Sequence, residues 1–485
     1  MEQSQLIELI RTLLPQEKEQ VLQFASLQFI NTGKMRAQVI PLLKICLSHP
    51  WEDPNLELNN KQVFSVIFPG QDFIEGKLEK VRVEAHKIVR TFLSVQQYLR
   101  EGNEFDQVLD LSESVKLKGL EIRYQHLLSK LQKMQAEYAW KNETYFHRQF
   151  LLEYAKHNEE SRHNRLKGDL NVPAVIQTLE NYAHLHRLAL LNRFLLQQKV
   201  AKLDVPETIK TFLEENNVPL RCLEASASLR VNYLIFKLLS KDFLEPSDVR
   251  SLFDLLLLNE KEIDPDNLRG FYTYLRNLCV LIYNSDAQNE EINFTLHELY
   301  KDNLNRGYLH YKGKLHSVTY LGVCNNAIWV KNHDWALEFI EKYKKDLIDE
   351  NETQDFYRFN LANYLFAIGR FDDCLDHIPD TSTSVVYLLQ GKRLELKTLY
   401  ELQSDQFSYK LDSFKMFLIR TSTKLLSDNQ RQIHVDFANL LNQIINSLPG
   451  DHKRSELLVK RIQGKKQAAE WRWLLEKAKA LKGVD

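Results

Sequence analysis

A few residues of the chain have the types and spacing that metal chemistry uses. Glu160 and His163 stand three residues apart, and Glu180 stands four residues before His184, so each pair would share one face of a helix. A di-metal helical bundle needs the Glu-x-x-His pair twice, with further glutamates from other helices, and this chain has it once. We therefore interpret these residues as a solvated helix face and predict no bound metal.

Two stretches imitate the loop that cradles phosphate groups in nucleotide-binding proteins. They run from Gly70 to Leu78 and from Gly307 to Leu315, and each contains a Gly-Lys pair. Both are one residue too long, and both lack the hydroxyl that should follow the lysine and hold magnesium. The chain has no His-Glu-x-x-His motif and no Gly-x-Ser-x-Gly elbow. The sequence therefore predicts no cofactor and no enzyme activity.

The composition predicts which elements position these residues. The 485 residues include only 15 glycines and 12 prolines, which implies few turns and long helices. Helical periodicity dominates the chain, and alternation of the β type is nearly absent. The 64 basic and 65 acidic side chains almost cancel, so the overall charge favours neither nucleic acid nor membrane as a partner. We predict an all-α protein.

The cysteines and the hydrophobic pattern bear on the compartment. The five cysteines are odd in number, widely spaced and set among apolar residues, which is typical of buried thiols in a reducing compartment. The first residues do not form a signal peptide, and no apolar run is long enough to span a membrane. The sequence predicts a cytoplasmic protein.

We predict three regions. Residues 1–101 form an N-terminal helical domain, 102–450 a helical-repeat domain, and 451–485 a basic capping helix. In the first region, the segment from Gly76 to Arg100 reads as one long helix. Its apolar stripe consists of Leu78, Val81, Ala85, Ile88, Val89 and Phe92. Several later prolines come just before a new apolar stripe, which suits the first turn of a helix.

A pattern of large, small and turn residues recurs in the second region. One copy has a small residue at Ala362, a turn glycine at Gly369 and an aromatic residue at Phe371. The apolar positions around them are Leu361, Leu365, Cys374 and Ile378. A second copy lies 38 positions earlier, from Val323 to Ile340, with Lys331 in place of the turn glycine, and a looser third copy runs from Leu111 to Leu128. The small residue allows two helices to approach closely, and the glycine ends the first of them.

This pattern resembles the tetratricopeptide helical hairpin, and the chain as a whole is similar to uncharacterised bacterial helical-repeat proteins. The resemblance implies antiparallel hairpins stacked as an α-solenoid, with a groove lined by the first helix of each hairpin. Such a groove holds a peptide or a partner helix, so the resemblance implies a protein–protein interaction scaffold. The residues it places at the groove are Asn325, Phe359, Asn360, Asn363 and Phe366.

The groove asparagines have two interpretations. They resemble part of the clamp by which some tetratricopeptide domains hold the carboxylates of a C-terminal peptide. The first lysine of that clamp is Leu321 here, which is a departure from the full clamp. The alternative is that the asparagines cap or bridge neighbouring helices.

A second functional hypothesis is a DNA-binding regulator with a helical-repeat sensor. Residues 58–93 resemble the core of winged-helix activators that carry tetratricopeptide domains. The resemblance implies that phosphate and base contacts would come from Lys77, Lys80, Arg82, Lys87 and Arg90. Against it, residues 1–101 are electrically neutral and no β-hairpin wing follows residue 93. The alternative for this segment is a helical pair that opens the solenoid.

The C-terminal region is the only strongly basic stretch. Residues 453–482 carry ten Lys or Arg against three Glu. On a helix, one apolar stripe is formed by Trp471, Leu474, Leu475, Ala478 and Leu481, while Trp473 points elsewhere, among Lys466 and Lys477. We expect the stripe to cap the last hairpin. The alternative is that this helix binds an acidic partner or an anionic surface.

Overall fold

The computed structural model is all-α, as the sequence predicts. It describes residues 4–51, 58–163, 170–201, 204–214, 217–285, 289–348, 353–379, 385–423, 425–465 and 467–482. These residues contain 24 α-helices, one short 3-10 helix (Glu260–Glu262) and one two-stranded sheet. Among them, no helix has both the length and the apolar character that crossing a membrane requires.

The chain forms two compact units. Unit 1 comprises residues 1–139 and 143–182, and unit 2 comprises residues 140–142 and 183–485. These limits do not coincide with the predicted boundaries after residues 101 and 450, which stay predictions.

Unit 1 has two hydrophobic cores. Its helices are α1 (Gln5–Arg11), α2 (Pro15–Ser26), α3 (Arg36–Ser48), α4 (Asn60–Ile67), α5 (Glu75–Tyr98), α6 (Glu104–Leu117), α7 (Glu121–Ala136), α8 (Glu143–His163) and the first part of α9 (Val172–Ala201). The first core joins α1 to α5, and the second joins α6 to α8. All six residues of the predicted stripe on α5 are buried, because they recur at the helical period and face the same neighbours.

Unit 2 begins within α9 and continues to the C-terminus. Its further elements are α10 (Glu207–Glu214), α11 (Leu220–Ala225), α12 (Ala227–Leu239), α13 (Pro246–Asn259), α14 (Pro265–Ser285), α15 (Glu290–Asn305), β1 (His310–Tyr311), β2 (Lys314–Leu315), α16 (Ser317–Trp329), α17 (His333–Tyr343), α18 (Thr353–Ala367), α19 (Phe371–His377), α20 (Val385–Glu401), α21 (Phe407–Arg420), α22 (Asp428–Ile445), α23 (His452–Gln463) and α24 (Trp471–Ala480). Pro246 and Pro265 are the first residues of their helices, where a missing N–H costs no hydrogen bond.

Consecutive helices of unit 2 pack against one another from α11 to α24, and some helices also contact the next but one. Such contacts join α12 to α14, α16 to α18, α18 to α20 and α22 to α24. The last core is formed by α20 to α24 and includes the predicted C-terminal stripe residues Leu474, Leu475, Ala478 and Leu481. Trp471 packs against that core, and so does Trp473, which the helical pattern predicted to point elsewhere. Lys466 lies outside the described residues.

The same turn ends three helices at the predicted repeat positions. Gly369, Lys331 and Gly119 all have a positive φ, between 59° and 79°. In each turn the amide of the following residue donates to a carbonyl five residues back, as Arg370 does to Leu365 at 2.9 Å. This is the hydrogen bond that terminates a helix at a left-handed residue. The lysine thus adopts the backbone conformation that glycine has in the other two turns.

The small residues of the pattern are buried where helices approach. Ala362 and Cys324 are fully buried, and so is Ser112 in unit 1. Leu111, beside Ser112, is 51% exposed, so the third copy packs less completely than the other two.

Candidate functional site

A stripe of charged residues on α20 forms the centre of the site. Arg393, Lys397 and Glu401 are four residues apart, so they lie one above another on the same side of the helix. Lys397 is only 8% exposed. A buried lysine requires a partner, because an unpaired ammonium group away from water costs several kcal/mol or more.

The partner of Lys397 is Glu470, the residue that precedes α24. Its Oε2 accepts a hydrogen bond from the Lys397 ammonium at 2.8 Å, and its Oε1 lies 3.3 Å from Arg393 Nε. Burial alone would raise the pKa of Glu470, but the positive charges of Lys397 and Arg393 outweigh it and lower the pKa to about 2. Glu470 also has a left-handed backbone, with φ 54°, which is uncommon for a residue with a side chain.

His434 on α22 lies on the other side of Arg393. Its Nδ1 is 3.1 Å from Nη1 of that arginine. Burial and then the arginine charge lower the pKa of His434 to about 4, so the ring is neutral at pH 7. Since a guanidinium can only donate, Nδ1 is the acceptor and the ring proton is on Nε2.

Two further residues of α24 reach Glu401. The Trp473 indole N–H donates to Glu401 Oε1 at 2.9 Å, and Lys477 Nζ lies 2.7 Å from the same oxygen. Together with the residues above, they form what we call the Glu470 cluster. Its members are Arg393, Lys397, Glu401, His434, Glu470, Trp473 and Lys477.

The Glu470 cluster continues onto α16 and α18. Lys397 Nζ lies 4.5 Å from the ring centre of Phe366 on α18. The guanidinium of Arg472, two residues after Glu470 in the chain, stands 4.8 Å from the ring centre of Trp329 on α16. These are cation–π distances. Asn363 Nδ2 donates to Asn325 Oδ1 at 2.6 Å and so joins α18 to α16.

We call this second set of residues the even-helix face. It consists of Asn325, Trp329, Asn363 and Phe366. All four are half-buried, so each presents part of its side chain to solvent. Long side chains from α24 and from Glu470 thus reach α16 and α20 and hold the C-terminal segment there, while Lys397 of α20 extends onto α18.

Three of the five residues predicted for partner binding belong to the even-helix face, and two do not. Phe359 is 2% exposed and Asn360 is fully buried. Phe359 and Phe366 are seven residues apart and share one side of α18, but the N-terminal half of that side is covered by Tyr387. The ring of Tyr387 lies 5.3 Å from the ring of Phe359, and the Tyr387 hydroxyl accepts a hydrogen bond from Asn360. Of the five predicted residues, Asn325, Asn363 and Phe366 are therefore the ones that reach solvent.

The contact between Asn363 and Asn325 bears on the clamp interpretation. The two amides bind each other across neighbouring helices, as the bridging alternative expects. Leu321, at the position of the first clamp lysine, is buried. A carboxylate-binding clamp would need a cation at that position.

The residues proposed for DNA contact lie on α5, and two of them have partners within unit 1. Arg82 pairs with Glu79 at 2.9 Å and donates to Asn60, and Lys77 stands 4.5 Å from the ring centre of Phe68. Lys80, Lys87 and Arg90 are exposed. The structure describes all of residues 58–163, and that stretch contains helices and no strand, so no hairpin wing follows α5 there.

The stretches that imitate phosphate loops do not form such loops. Gly313 lies in the turn of the β1–β2 hairpin. Lys314 belongs to β2 and pairs with Tyr311 of β1. Gly76 lies inside α5. Glu160 lies on α8 and Glu180 and His184 lie on α9, while the side chain of His163 is outside the described residues. Among the described residues, no three His, Cys, Asp or Glu side chains converge as a metal site would require.

The buried cysteines and His297 have the wrong environment for catalysis. Burial raises the pKa of Cys46 and of Cys279 to about 12 and that of Cys374 to about 11, so these thiols carry no thiolate at pH 7. Both ring nitrogens of His297 contact amides, those of Asn326 and Asn332, at 3.3 and 3.1 Å. The ring is 3% exposed, so a substrate cannot reach it.

The sequence pattern did not reveal the Glu470 cluster. The spacing of Arg393, Lys397 and Glu401 is visible in the sequence, but the side chain that pairs with Lys397 comes 73 residues later. Short-range patterns carry no information about a partner at that distance.

The chain matches no protein-family model, no curated protein and no solved structure. What the protein does therefore has to be inferred from its own residues.

Proposed function

We propose that the protein is a non-catalytic protein–protein interaction scaffold, in which the even-helix face of unit 2 binds a peptide or a partner helix. The observation that carries the proposal is that a segment of the chain already packs beside this face and contacts one of its residues, Trp329. Ion pairs to Glu470 and a cation–π contact between Arg472 and Trp329 connect the segment to α20 and α16. These are the contacts by which proteins bind peptides.

We further propose that unit 2 is a tetratricopeptide-like α-solenoid. The contacts of α16 with α18 and of α18 with α20 support this arrangement. Turns with a positive φ at Lys331, Gly369 and Gln403, each between the two helices of a hairpin, support it as well. In a solenoid the helices that stack on one side form a continuous binding surface, and α16 and α18 carry the even-helix face.

The chemistry of the face suggests which peptides it accepts. Asn325 and Asn363 offer amide groups that can bind a peptide backbone, and Phe366 and Trp329 offer aromatic surface for apolar or cationic side chains. A peptide fits these groups if its backbone hydrogen-bonds to the two amides and two of its side chains contact the aromatic rings. Nucleic acid does not fit, because the cations of the neighbouring cluster are paired with Glu470 and Glu401.

We place the protein in the cytoplasm. All five cysteines are free and buried. This includes Cys324 and Cys374, whose helices α16 and α19 both pack on α18. Buried thiols without disulfides are typical of proteins in a reducing compartment. The binding role needs no cofactor.

The test uses the full-length chain and one substitution made at two sites. Asn363→Arg places a large cation on the even-helix face, whereas Asn305→Arg makes the same change at an exposed position on α15. Each protein is used to recover partners from cell extract at moderate salt, and the affinity of the recovered partner is then measured by calorimetry. We expect Asn363→Arg to weaken binding about tenfold or more and Asn305→Arg to leave it unchanged.

Two outcomes would contradict the proposal. One is a partner whose affinity is the same for both variants, which would place binding elsewhere. The other is recovery of DNA whose retention falls steeply with salt, which would favour the regulator hypothesis and the exposed cations of α5.

A further inference from the structure

A second surface of unit 2 lies between α13 and α15. These two helices form the walls of an open cleft of about 490 Å³, which is in the size range of sites that accept several side chains. The lining residues on α13 are Pro246, Val249, Arg250 and Phe253, and those on α15 are Glu291, Phe294, Thr295, Glu298, Leu299 and Asp302. None of them belongs to the even-helix face or to the Glu470 cluster.

The interior of the cleft is apolar, although it is open to solvent. Phe294 is 52% exposed, and Phe253 and Thr295 are half-buried beside it. On both walls the lining residues recur at three- and four-residue spacing, so each helix presents one continuous side to the cleft. A large aromatic side chain exposed in a concave apolar surface is typical of an interaction site.

One wall of the cleft carries a row of carboxylates. Glu291, Glu298 and Asp302 are seven and four residues apart on α15, so they extend along about 16 Å of the helix on one side. Glu298 pairs with Lys301 at 3.3 Å and Asp302 pairs with Arg306 at 2.9 Å. The Glu298 side chain is nevertheless 71% exposed, and among the described residues Glu291 makes no ion pair. The cation of the other wall, Arg250, is paired with Asp254 of its own helix at 3.1 Å. The three carboxylates face two paired cations, so the α15 side of the rim keeps a net negative charge, which comes from Glu291.

We propose that this cleft binds an amphipathic helix of a partner protein, with apolar side chains in the cleft and Lys or Arg along the flank that faces α15. A helix fits because side chains at i, i+3, i+4 and i+7 of the partner match walls with the same periodicity. The carboxylate row selects the charge of the flank, since opposite charges at the rim favour association. The same row repels anionic lipid and nucleic acid.

The proposal is tested with two synthetic helical peptides of about four turns, or about 14 residues. Both carry leucines at i, i+3, i+4 and i+7. One has lysines on one flank, and the other has glutamates at the same positions. Fluorescence anisotropy measures binding of each labelled peptide to the full-length protein. We expect the lysine peptide to bind about tenfold or more tighter than the glutamate peptide, and its affinity to fall as salt is added.

Variants show whether the cleft is the site. The double variant Glu291→Lys/Glu298→Lys should reverse the preference between the peptides. The control, Glu224→Lys/Glu338→Lys, changes the net charge equally at exposed positions of α11 and α17 and should not reverse it. Thr295→Trp fills the cleft and should weaken binding of the lysine peptide about tenfold or more. Circular dichroism establishes that each variant retains its helices.

The proposal is overturned if the two peptides bind equally, if neither binds, or if Thr295→Trp and the control double variant have the same effect. It is also overturned if the unmodified protein self-associates and the cleft variants abolish that, because the occupant would then be a second copy of the chain. The even-helix face also offers aromatic surface to apolar and cationic side chains, so the lysine peptide is measured on Asn363→Arg as well. That variant should leave its affinity unchanged, which separates this result from the test of the proposed function.

Discussion

At the scale of single residues, the helix-ending turns show how one backbone conformation can be reached by different side chains. Gly369, Lys331 and Gln403 all have φ between 49° and 79°. For glycine this conformation has no steric cost, whereas a side chain clashes with the following carbonyl and costs about 1–2 kcal/mol. Lys331 and Gln403 are therefore held in place by the packing of the helices on either side.

A glycine at position 331 should stabilise the protein. We expect Lys331→Gly to raise the free energy of unfolding by about 0.5–1 kcal/mol, because relief of the strained backbone exceeds the added freedom of the unfolded chain. Gly369→Ala should lower it by about 1 kcal/mol. An added Cβ at Gly369 meets no atom within 4 Å, so that loss would come from the backbone alone. Urea denaturation measures both changes.

Gly270→Ala is the matched control. Gly270 lies in the second turn of α14, and an added Cβ there also meets nothing within 4 Å. Because the backbone is helical, alanine should stabilise by about 0.5–1 kcal/mol. If Gly369→Ala and Gly270→Ala changed the free energy of unfolding in the same direction, the backbone conformation of the glycine would not decide the effect.

The buried ionisable groups of the Glu470 cluster predict how stability depends on pH. The pKa of His434 falls from its ordinary 6.5 to about 4 in the folded protein, so the unfolded chain binds a proton first as the pH drops. His434 should therefore remove about 3 kcal/mol of stability between pH 6.5 and about 4. Glu470, with a pKa of about 2, adds stability at neutral pH that is lost as the pH falls below its ordinary pKa of 4.5.

Denaturation by urea at about pH 7, 5.5 and 4.5 measures this dependence. In the His434→Gln variant, the loss of stability that His434 causes between pH 6.5 and 4 should disappear. Glutamine can accept the Arg393 hydrogen bond and does not titrate. An unchanged slope in that variant would mean that other groups are responsible for the pH dependence.

At the scale of an element, α18 depends on a small residue at its contact with the neighbouring helices. Ala362 is fully buried, and α18 packs against α16, α17, α19 and α20. We expect Ala362→Asp to destabilise the protein by several kcal/mol, since it buries a charge that has no partner. Thermal unfolding followed by circular dichroism would detect it.

The control for this prediction lies on the same helix. Gln354 is exposed in the first turn of α18, where an acidic side chain is favourable. Gln354→Asp should change the free energy of unfolding by less than about 0.5 kcal/mol. If Ala362→Asp melted as the parent does, the position of α18 in the fold would be wrong.

At the scale of the whole molecule, the C-terminal segment closes the last hydrophobic core. Leu474 and Ala478 are fully buried and Leu475 nearly so, and they pack in the core formed by α20 to α24. Deleting residues 466–485 should expose this core and cause aggregation, because burying each leucine stabilises by about 1.5–3 kcal/mol. Light scattering and size-exclusion chromatography measure the result.

A truncated protein that stayed soluble and equally stable would contradict the capping role. If it also lost the partner recovered with the full chain, the C-terminal helix itself would be the binding element. Trp473→Ala is the milder comparison, because it removes the contact with Glu401 and keeps the buried leucines.

The sequence by itself determined the elements and much of the packing within them. The low glycine and proline content predicted helices, the apolar period predicted the buried side of α5, and the spacing around Ala362 predicted a turn at Gly369. These features depend on residues within one or two helical turns of each other, where propensity and periodicity act. The same local rules did not predict the turn at Gln403, because glutamine has no preference for a positive φ.

Tertiary structure decided which of the predicted groove residues reach solvent and which charges meet. Phe359 and Phe366 share one side of α18, but only Phe359 is covered by Tyr387, and that depends on where α20 begins beside α18. Glu470 pairs with Lys397 across 73 residues because α24 packs on α22 and its preceding residue extends over α20. Such pairings follow from how helices stack, and the stacking minimises exposed apolar surface over the whole unit. No short stretch of sequence contains that information.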